Sequence, residues 1–222
     1  TINQILSDDT IDAVNVCTPN IDHAKISVKV LNSGRHVLVE KPMAISLADC
    51  DKMINAAHKN NVKLMVGQTY RFYPSSIAAK KIIDTKQSGE IRIVQIHGID
   101  PGFIKGQGKM PKWFGGKKSG GGLLFDMVHA VGLLRDWTKS EISHVYVPLI
   151  DKIDENVTAE QMGLVIIKFR NGVSVTIMSV APSWGIRDTG IKLIGKKGVL
   201  YVTYGEEVKV GKKNWKEYEF SF

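Results

Sequence analysis

The chain has 222 residues and a formal net charge of +8, with 43% hydrophobic and 23% charged residues. This composition is typical of a soluble globular protein with one large domain or two ordinary ones. No apolar run approaches the ~18 residues that a membrane span needs, which argues against a membrane protein. The lysines are scattered in pairs among acidic residues and no DNA- or RNA-binding motif is present, so solvated surfaces are favoured over a nucleic-acid interface.

The two cysteines, Cys17 and Cys50, form no CxxC motif and have no set of nearby histidines. This pattern argues against a zinc site or a disulfide framework, and it favours a role as small core side chains. We therefore expect no metal. No basic and apolar leader opens the sequence, so the expected location is the cytoplasm.

In the first seventy residues, short apolar strands alternate with helices. The predicted strands are 13–17, 36–40 and 62–67, and the predicted helices are 22–33 and one that begins after Ser46. Gly34 stands where a left-handed C-cap prefers glycine, and Ser46 with Asp49 forms a capping-box pattern. Continuously hydrophobic strands joined by helices predict a parallel sheet covered on both faces, which is an α/β fold of the doubly wound, Rossmann-like kind.

Polar turns follow each of these three strands, and the first two contain a proline. They are Thr18-Pro19-Asn20, Lys41-Pro42-Met43 and the segment 68–72, "QTYRF". In open parallel sheets the ligand crevice lies outside the carboxyl ends of the strands, so these turns predict a binding site at one edge. Ordinary polar turns are the alternative, and they account for one such cluster more easily than for three.

The pattern changes after Pro74. A helix at 75–86 and a strand at 91–99 are followed by a loop rich in glycine and lysine at 101–119 and a helix at 122–137. Alternating strands are then predicted at 144–150, 159–169, 172–180 and 191–202. No helices connect them, which predicts a mostly antiparallel sheet with one exposed face. We expect a domain boundary near 72–74, dividing the chain into 1–73 and 74–222.

The predicted helix 122–137 carries an acid and a histidine three residues apart. Its core stripe is predicted to comprise Leu124, Met127, Val128, Val131 and Leu134. Asp126 and His129 lie off that stripe on one face, with Leu133 between them. Such a pair can act as a general base and its positioner, although an exposed helix face explains the pair alone equally simply.

Lys41 changes that comparison, because a lysine at the end of a strand can reach into the same crevice. Lys41 and His129 could hydrogen-bond a substrate hydroxyl, His129 could take its proton, and a hydride could leave for an acceptor. No glycine-rich GxGxxG turn follows a strand and opens a helix in this sequence. The pyrophosphate-binding element of a dinucleotide site is therefore missing from it.

Several segments resemble the Gfo/Idh/MocA oxidoreductases, which include glucose-fructose oxidoreductase and inositol dehydrogenase. They are "DAVNVCTPNIDHAKISVKVLNSGRHVLVEKPMAISLADC", "GQTYRF", "GGGLLFDMVHAVGLLRDW" and "IGKKGVLYV". The resemblance implies a dinucleotide-binding domain followed by a domain with an open antiparallel sheet, which often forms a dimer interface. It also implies NAD or NADP as cofactor and a sugar or cyclitol as substrate.

The resemblance further assigns roles to individual residues. It implies that the cofactor site is bordered by Thr18, Pro19, Asn20, His23, Glu40, Lys41, Pro42, Gln68 and Arg71. It implies that Lys41 also reaches the substrate, and that Asp126 and His129 face the reacting carbon as catalytic residues.

The sequence departs from the family pattern at three places. The leading βαβ unit with GxGxxG is absent, so we expect this chain to be a fragment that is inactive alone. The aspartate and histidine are three residues apart where the family usually has four, and Gly132 stands where an acid is common. The predicted function is an NAD(P)-dependent sugar or cyclitol dehydrogenase, and the alternative is a non-catalytic, dimerising member of the family.

Overall fold

The computed structural model describes residues 1–99, 115–181, 187–204 and 207–217, except for the side chain of Leu124. The helices are α1 (Ile2–Leu6), α2 (His23–Leu31), α3 (Leu47–Lys59), α4 (Pro74–Asp84), α5 (Leu123–Asp126) and α6 (Val128–Thr138), with 3₁₀ turns at Asn20–Asp22, Thr69–Phe72 and Lys117–Ser119. The strands are β1 (Ala13–Val16), β2 (His36–Val39), β3 (Leu64–Val66), β4 (Ile91–Ile99), β5 (Ile142–Asp151), β6 (Met162–Phe169), β7 (Ser174–Val180), β8 (Asp188–Gly195), β9 (Gly198–Val202), β10 (Val208–Gly211) and β11 (Trp215–Glu217). Most of the predicted loop 101–119 lies outside the described residues.

The N-terminal sheet consists of β1, β2 and β3, which are parallel and adjacent in that order. Val37 and Val39 of β2 are buried against residues of α2 and α3. Leu38 and Met65 point the other way and are 38% and 52% exposed. The parallel sheet was predicted correctly, but the expectation that both faces are covered is wrong for the described residues, because both helices contribute to one core.

The start of α3 follows the predicted capping chemistry. The Ser46 hydroxyl accepts a hydrogen bond from the Asp49 backbone N–H at 3.1 Å. This bond satisfies one of the amide groups that a helix leaves free at its first turn. α3 therefore begins directly after the loop that carries Lys41, and the cap at Ser46 fixes the end of that loop.

The C-terminal sheet has eight strands in the order β11-β10-β9-β8-β4-β7-β6-β5. Neighbouring strands are antiparallel except β4 and β7, which run parallel with Val94 opposite Val175. α4 and α6 cover one face, where Ile82 and Leu134 are fully buried in the same core as the strands. The predicted strand 191–202 forms two strands, β8 and β9, joined by a tight turn. The expected mostly antiparallel sheet with one open face is confirmed.

The predicted continuous helix 122–137 is wrong. α5 ends at Asp126, Met127 has φ −69° and ψ 1°, and a new helix begins at Val128. The buried side of α6 also differs from the predicted stripe. Leu133 is 1% exposed, whereas Val128 and Val131 are only half-buried. His129 lies on the buried side of α6, whereas Asp126 is the last residue of α5.

Candidate active site

Lys41 and Asp126, which lie 85 residues apart in the chain, form an ion pair. The pair joins the loop after β2 to α5. Lys41 follows β2 and precedes Pro42 through a cis peptide bond. Its Nζ atom donates a hydrogen bond to Oδ1 of Asp126, the last residue of α5. The side chains are 19% and 35% exposed. Two of the three predicted catalytic residues are therefore in direct contact.

A cavity of about 480 Å³ opens beside this ion pair. Asp126 and His129 contribute to its wall, and so do the rings of Tyr70, Tyr73 and Tyr204. Lys41 does not itself line the cavity, but it contacts Asp126, which does. The volume falls within the range of ~300–1,000 Å³ that is common for small-molecule sites.

The imidazole of His129 is buried at the wall of this cavity. Its ring stacks on that of Tyr70, with the two centroids 4.0 Å apart and the planes 4° from parallel. Burial, which is the largest cause, and the charge of Lys41 together lower the pKa of His129 from 6.5 to about 4, although Asp126 acts to raise it. His129 is therefore neutral at pH 7 and able to accept a proton.

His23 connects the loops that follow β1 and β2. Its ring is fully buried, and its Nδ1 and Nε2 atoms each lie 2.8 Å from a carbonyl oxygen, of Pro42 and of Thr18 respectively. The side chain thus lies beneath the predicted cofactor edge and holds two of its loops together. The Thr18 hydroxyl oxygen is buried and has no hydrogen-bond partner within the described ranges.

Asn20 connects the same edge to the glycine-rich segment before α5. Its Nδ2 atom donates a hydrogen bond of 2.7 Å to the carbonyl oxygen of Gly120, and the residue is only 8% exposed. The amide that was predicted to border a cofactor is therefore committed to an internal contact. Pro19, next to it, is exposed.

Two further predicted residues, Gln68 and Arg71, contact α6. The Oε1 atom of Gln68 would lie only 2.8 Å from a Cβ atom added at Gly132, so the glycine allows this approach. Arg71 Nη2 donates to Asp136 Oδ1 at 3.2 Å. Neither residue lines the cavity. The close approach of Gln68 explains the glycine at position 132, where the resemblance leads one to expect an acid.

Glu40 lies at the end of β2, beside Gly67 of the neighbouring strand's loop. Its Oε2 atom accepts a hydrogen bond of 3.2 Å from the Lys41 backbone N–H. The carboxylate thus steadies the backbone of the residue that reaches Asp126.

Sequence reasoning missed the tyrosines at the cavity. Tyr70 belongs to the aromatic run "TYRFY" directly after β3, and this run was a usable signal because it lies at the predicted edge of the sheet. Tyr204 follows β9, and no local motif marks it. Burial, with a further contribution from Tyr70, raises the pKa of Tyr204, which keeps its hydroxyl protonated.

Two kinds of feature are not found in the part of the chain that the structure describes. Its histidine, cysteine, aspartate and glutamate side chains form no group of three or more that could hold a metal ion. None of its helices combines the length and the apolar character that crossing a membrane requires.

Comparison with known proteins identifies two family models. Residues 1–68 match the oxidoreductase family with an NAD-binding Rossmann fold, GFO_IDH_MocA, and residues 77–201 match the GFO/IDH/MocA C-terminal domain. Myo-inositol 2-dehydrogenase of Thermotoga maritima is 24% identical over 212 residues, which is 94% of this chain and 61% of that protein. The chain thus spans less than two thirds of this relative's length.

Solved structures share the same architecture. GenD2 from gentamicin A biosynthesis, in complex with NAD, superposes with a TM-score of 0.82 at 26% identity and covers 99% of this chain and 66% of its own. Levoglucosan dehydrogenase, in complex with NADH and levoglucosan, has a TM-score of 0.87 at 23% identity over 98% and 63% of the two chains. The latter similarity, below 25% identity, establishes the fold.

Proposed function

Because this chain belongs to the Gfo/Idh/MocA family of oxidoreductases, we propose that it forms the catalytic cleft of an NAD(P)-dependent dehydrogenase acting on a sugar or cyclitol hydroxyl. The main support is the Lys41–Asp126 ion pair at a cavity that also contains the buried, neutral imidazole of His129. A cation, a carboxylate and a proton acceptor at one cavity are the groups that oxidation of an alcohol requires.

The residues at the carboxyl edge of the N-terminal sheet fit the ribose and nicotinamide half of NAD or NADP. The buried hydroxyl of Thr18 has no partner among the described residues, and Glu40 and Lys41 lie at the end of the neighbouring strand. The sequence has no glycine-rich turn for the pyrophosphate. We therefore assign 1–73 to cofactor binding in part, and 74–222 to substrate binding and dimerisation. When bound, the nicotinamide ring supplies the hydride acceptor.

In the proposed reaction, the carbon–hydrogen bond breaks as a hydride and the hydroxyl proton passes to His129, leaving a carbonyl. Lys41 donates a hydrogen bond to the substrate oxygen and stabilises the negative charge that develops there. The neutral imidazole accepts the proton, and Asp126 favours the charged ring that results. Burial and Lys41 disfavour that charged ring, so the proton is readily released again.

The walls of the cavity suit a hydroxyl-rich ring. Tyr70, Tyr73 and Tyr204 offer flat apolar surface, while Ser179 and Thr189 add hydroxyl groups. Sugars and cyclitols combine an apolar ring face with polar groups at its edge, which matches this combination. The inositol dehydrogenase and the levoglucosan dehydrogenase similar to this chain are named for substrates of that class.

The proposal is tested in a full-length protein that also contains the glycine-rich dinucleotide-binding unit, by substituting Lys41 and measuring cofactor reduction with a panel of cyclitols and sugars. We expect Lys41→Ala and His129→Ala each to lower turnover by roughly 10²–10⁴-fold with the fold retained, because each removes a group that handles the proton or the charge. Lys52→Ala is the matched control, since Lys52 also pairs with an aspartate, Asp49, at 2.8 Å but on the exposed side of α3. Unchanged turnover in Lys41→Ala would remove Lys41 from the mechanism.

The open face of the C-terminal sheet supports a second proposal, a homodimer. Tyr146, Leu149, Ile166 and Met178 lie on this face and are 38–65% exposed. An apolar patch of this kind on a sheet is typical of an interface between protein subunits. The non-catalytic alternative would use the same face, so cofactor reduction by the full-length protein, with its glycine-rich unit, distinguishes the two functions.

We expect Ile166→Glu to convert a dimer into monomers, because it places a charge in the middle of the apolar face. Light scattering after size exclusion measures the mass. Ile77→Glu is the control, since Ile77 is also exposed, at 56%, but lies on α4. A wild-type protein that is monomeric at micromolar concentration would contradict this part of the proposal.

The state of the cysteines agrees with a reducing compartment. Cys17 and Cys50 are both free thiols; Cys17 is exposed and Cys50 half-buried, so the expectation that both are core side chains is wrong for Cys17. Proteins of the cytosol usually keep their thiols reduced. A cytoplasmic location is part of the proposed function.

A further inference from the structure

The strongest aromatic contact at the cavity joins Tyr70 to His129. The rings are 4.0 Å apart and almost parallel, at 4°. Tyr70 also contacts Tyr73 and Tyr204, each with centroids 4.8 Å away, at larger interplanar angles of 27° and 48°. The contact with His129 is thus both the shortest and the most nearly parallel of the three.

The segment that carries Tyr70 is fastened along one side of α6. Gln68 lies against Gly132, Tyr70 against His129, and Arg71 is paired with Asp136. Positions 129, 132 and 136 are spaced three and four apart, so they lie on one face of the helix. The backbone that places Tyr70 is therefore held to the same helix as His129.

Among the described residues, no carboxylate is hydrogen-bonded to the Nδ1 atom of His129. A catalytic histidine commonly donates one ring N–H to a carboxylate that fixes its orientation. Here the Asp126 carboxylate accepts a hydrogen bond from Lys41, and the helix is interrupted at Met127, between Asp126 and His129. The Nδ1 atom of His129 is buried with no hydrogen-bond partner in the described part of the chain.

We propose that Tyr70 is the positioning residue of His129, holding the imidazole at the cavity by stacking in place of a hydrogen-bonded carboxylate. This role rests on the proposed function, in which His129 accepts the proton. Stacking fixes the plane of the ring but engages neither nitrogen. Either nitrogen can then carry the proton, so the bound substrate selects the tautomer. The Tyr70 ring also shields the imidazole from water.

Among the described residues, the titratable and charged groups that line this cavity beside His129 are Asp126 from α5, Arg187 and Asp188 at the start of β8, and the hydroxyls of Tyr70, Tyr73 and Tyr204. Lys41, from the loop after β2, contacts Asp126. Among the charged groups, Lys41 and Asp126 act on His129, in opposite directions, and burial outweighs both. A substitution that admits water at the stacked face should therefore change the titration of His129 more than the loss of either charge.

The test follows the ring protons of His129 by NMR during pH titration. In Tyr70→Leu we expect its pKa to rise from about 4 towards the ordinary 6.5, because water reaches the ring. Turnover should fall roughly 10²-fold, as expected when a catalytic group loses its geometry. The acid limb of kcat/KM should move to higher pH by the same amount, because only the neutral imidazole accepts the proton. Tyr70→Phe keeps the stacked ring and should rescue both properties.

Tyr73→Leu is the matched control for the titration. It removes a tyrosine from the same aromatic cluster but leaves the Tyr70–His129 stack in place. We expect its effect on the pKa of His129 to be clearly smaller than that of Tyr70→Leu. Equal shifts in the two variants, or no shift in Tyr70→Leu, would overturn the role of Tyr70.

A measurement on the wild-type protein covers the case in which Tyr70→Leu does not fold. Stacking should move the His129 ring protons upfield and give nuclear Overhauser contacts to the Tyr70 ring, and their absence would overturn the inference. The titration and these contacts need no turnover. A full-length protein without dehydrogenase activity would thus contradict the proposed function while the positioning of His129 is still measured.

Discussion

In the N-terminal sheet the site residues follow the strands, whereas in the C-terminal part they lie on helices that cross the sheet. Thr18, Lys41 and Gln68 each come two residues after the end of β1, β2 and β3, respectively. Asp126 and His129 belong to α5 and α6, and their placement depends on a break at Met127. Parallel strand topology thus determines where the first set lies, and tertiary packing determines where the second lies.

The two parts of the molecule also hold their site residues by different kinds of contact, electrostatic in the N-terminal part and packing in the C-terminal part. Lys41 reaches across to Asp126 as a charge, while His129 is held by an aromatic ring and by the core beneath α6. A loop at the edge of a sheet can carry a charge that remains partly solvated. A helix on the inner face buries what it carries, which is why His129 remains neutral.

The largest expected effect comes from substituting Gly120, where the N-terminal and C-terminal parts are in contact. Gly120 has φ +76°, and an added Cβ would lie 2.2 Å from Ile45 Cγ2 and 3.0 Å from Asn20 Cβ. We expect Gly120→Ala to lower the free energy of unfolding through both backbone strain, about 1–2 kcal/mol, and overpacking, about 1–3 kcal/mol. Urea denaturation measures the total.

Gly172→Ala separates the two terms. Gly172 also has a left-handed φ, +91°, but nothing lies within 4 Å of an added Cβ. We expect only the backbone term here, about 1–2 kcal/mol, and unchanged turnover because the β6–β7 turn lies away from the cavity. If Gly120→Ala is no more destabilising than Gly172→Ala, the close packing of Gly120 against Ile45 and Asn20 does not contribute to stability.

The elements that could be predicted from the sequence are those set by local chemistry and strand topology. The Ser46 cap, the parallel order of β1 to β3 and the strand at Ile91–Ile99 all have local signals, and the structure confirms them. Placing Lys41 at the carboxyl edge required only the rule for parallel strands. These features need no knowledge of how distant segments pack.

The features that sequence reasoning missed depend on contacts between distant segments. The periodicity of 122–137 is continuous, so it gave no sign that the helix would break at Met127. Leu133 was placed off the core stripe for the same reason, yet it is 1% exposed. The pairing of Tyr70 with His129 joins residues far apart in the chain, and a local pattern contains no information on such a contact.

A smaller effect is expected on the titration of His129. It tests the comparison between the N-terminal and C-terminal parts, because one charge from each part acts on the same ring. Lys41 lowers the pKa of His129 and Asp126 raises it. In Lys41→Met the pKa should therefore rise above about 4, yet stay below 6.5 because burial, the largest cause, is unchanged. In Asp126→Asn it should fall below about 4, since the one favourable charge is lost while Lys41 remains. NMR titration of the His129 ring protons measures both variants, and neither measurement requires turnover.

Lys52→Ala, which removes a lysine of the same charge from an exposed pair, should leave the pKa of His129 near 4. Shifts in the same direction for the two site variants would mean that the ring responds to altered burial rather than to the two charges. The pKa of His129 would then depend only on packing within the C-terminal part, and Lys41 would act on the substrate without acting on the proton acceptor.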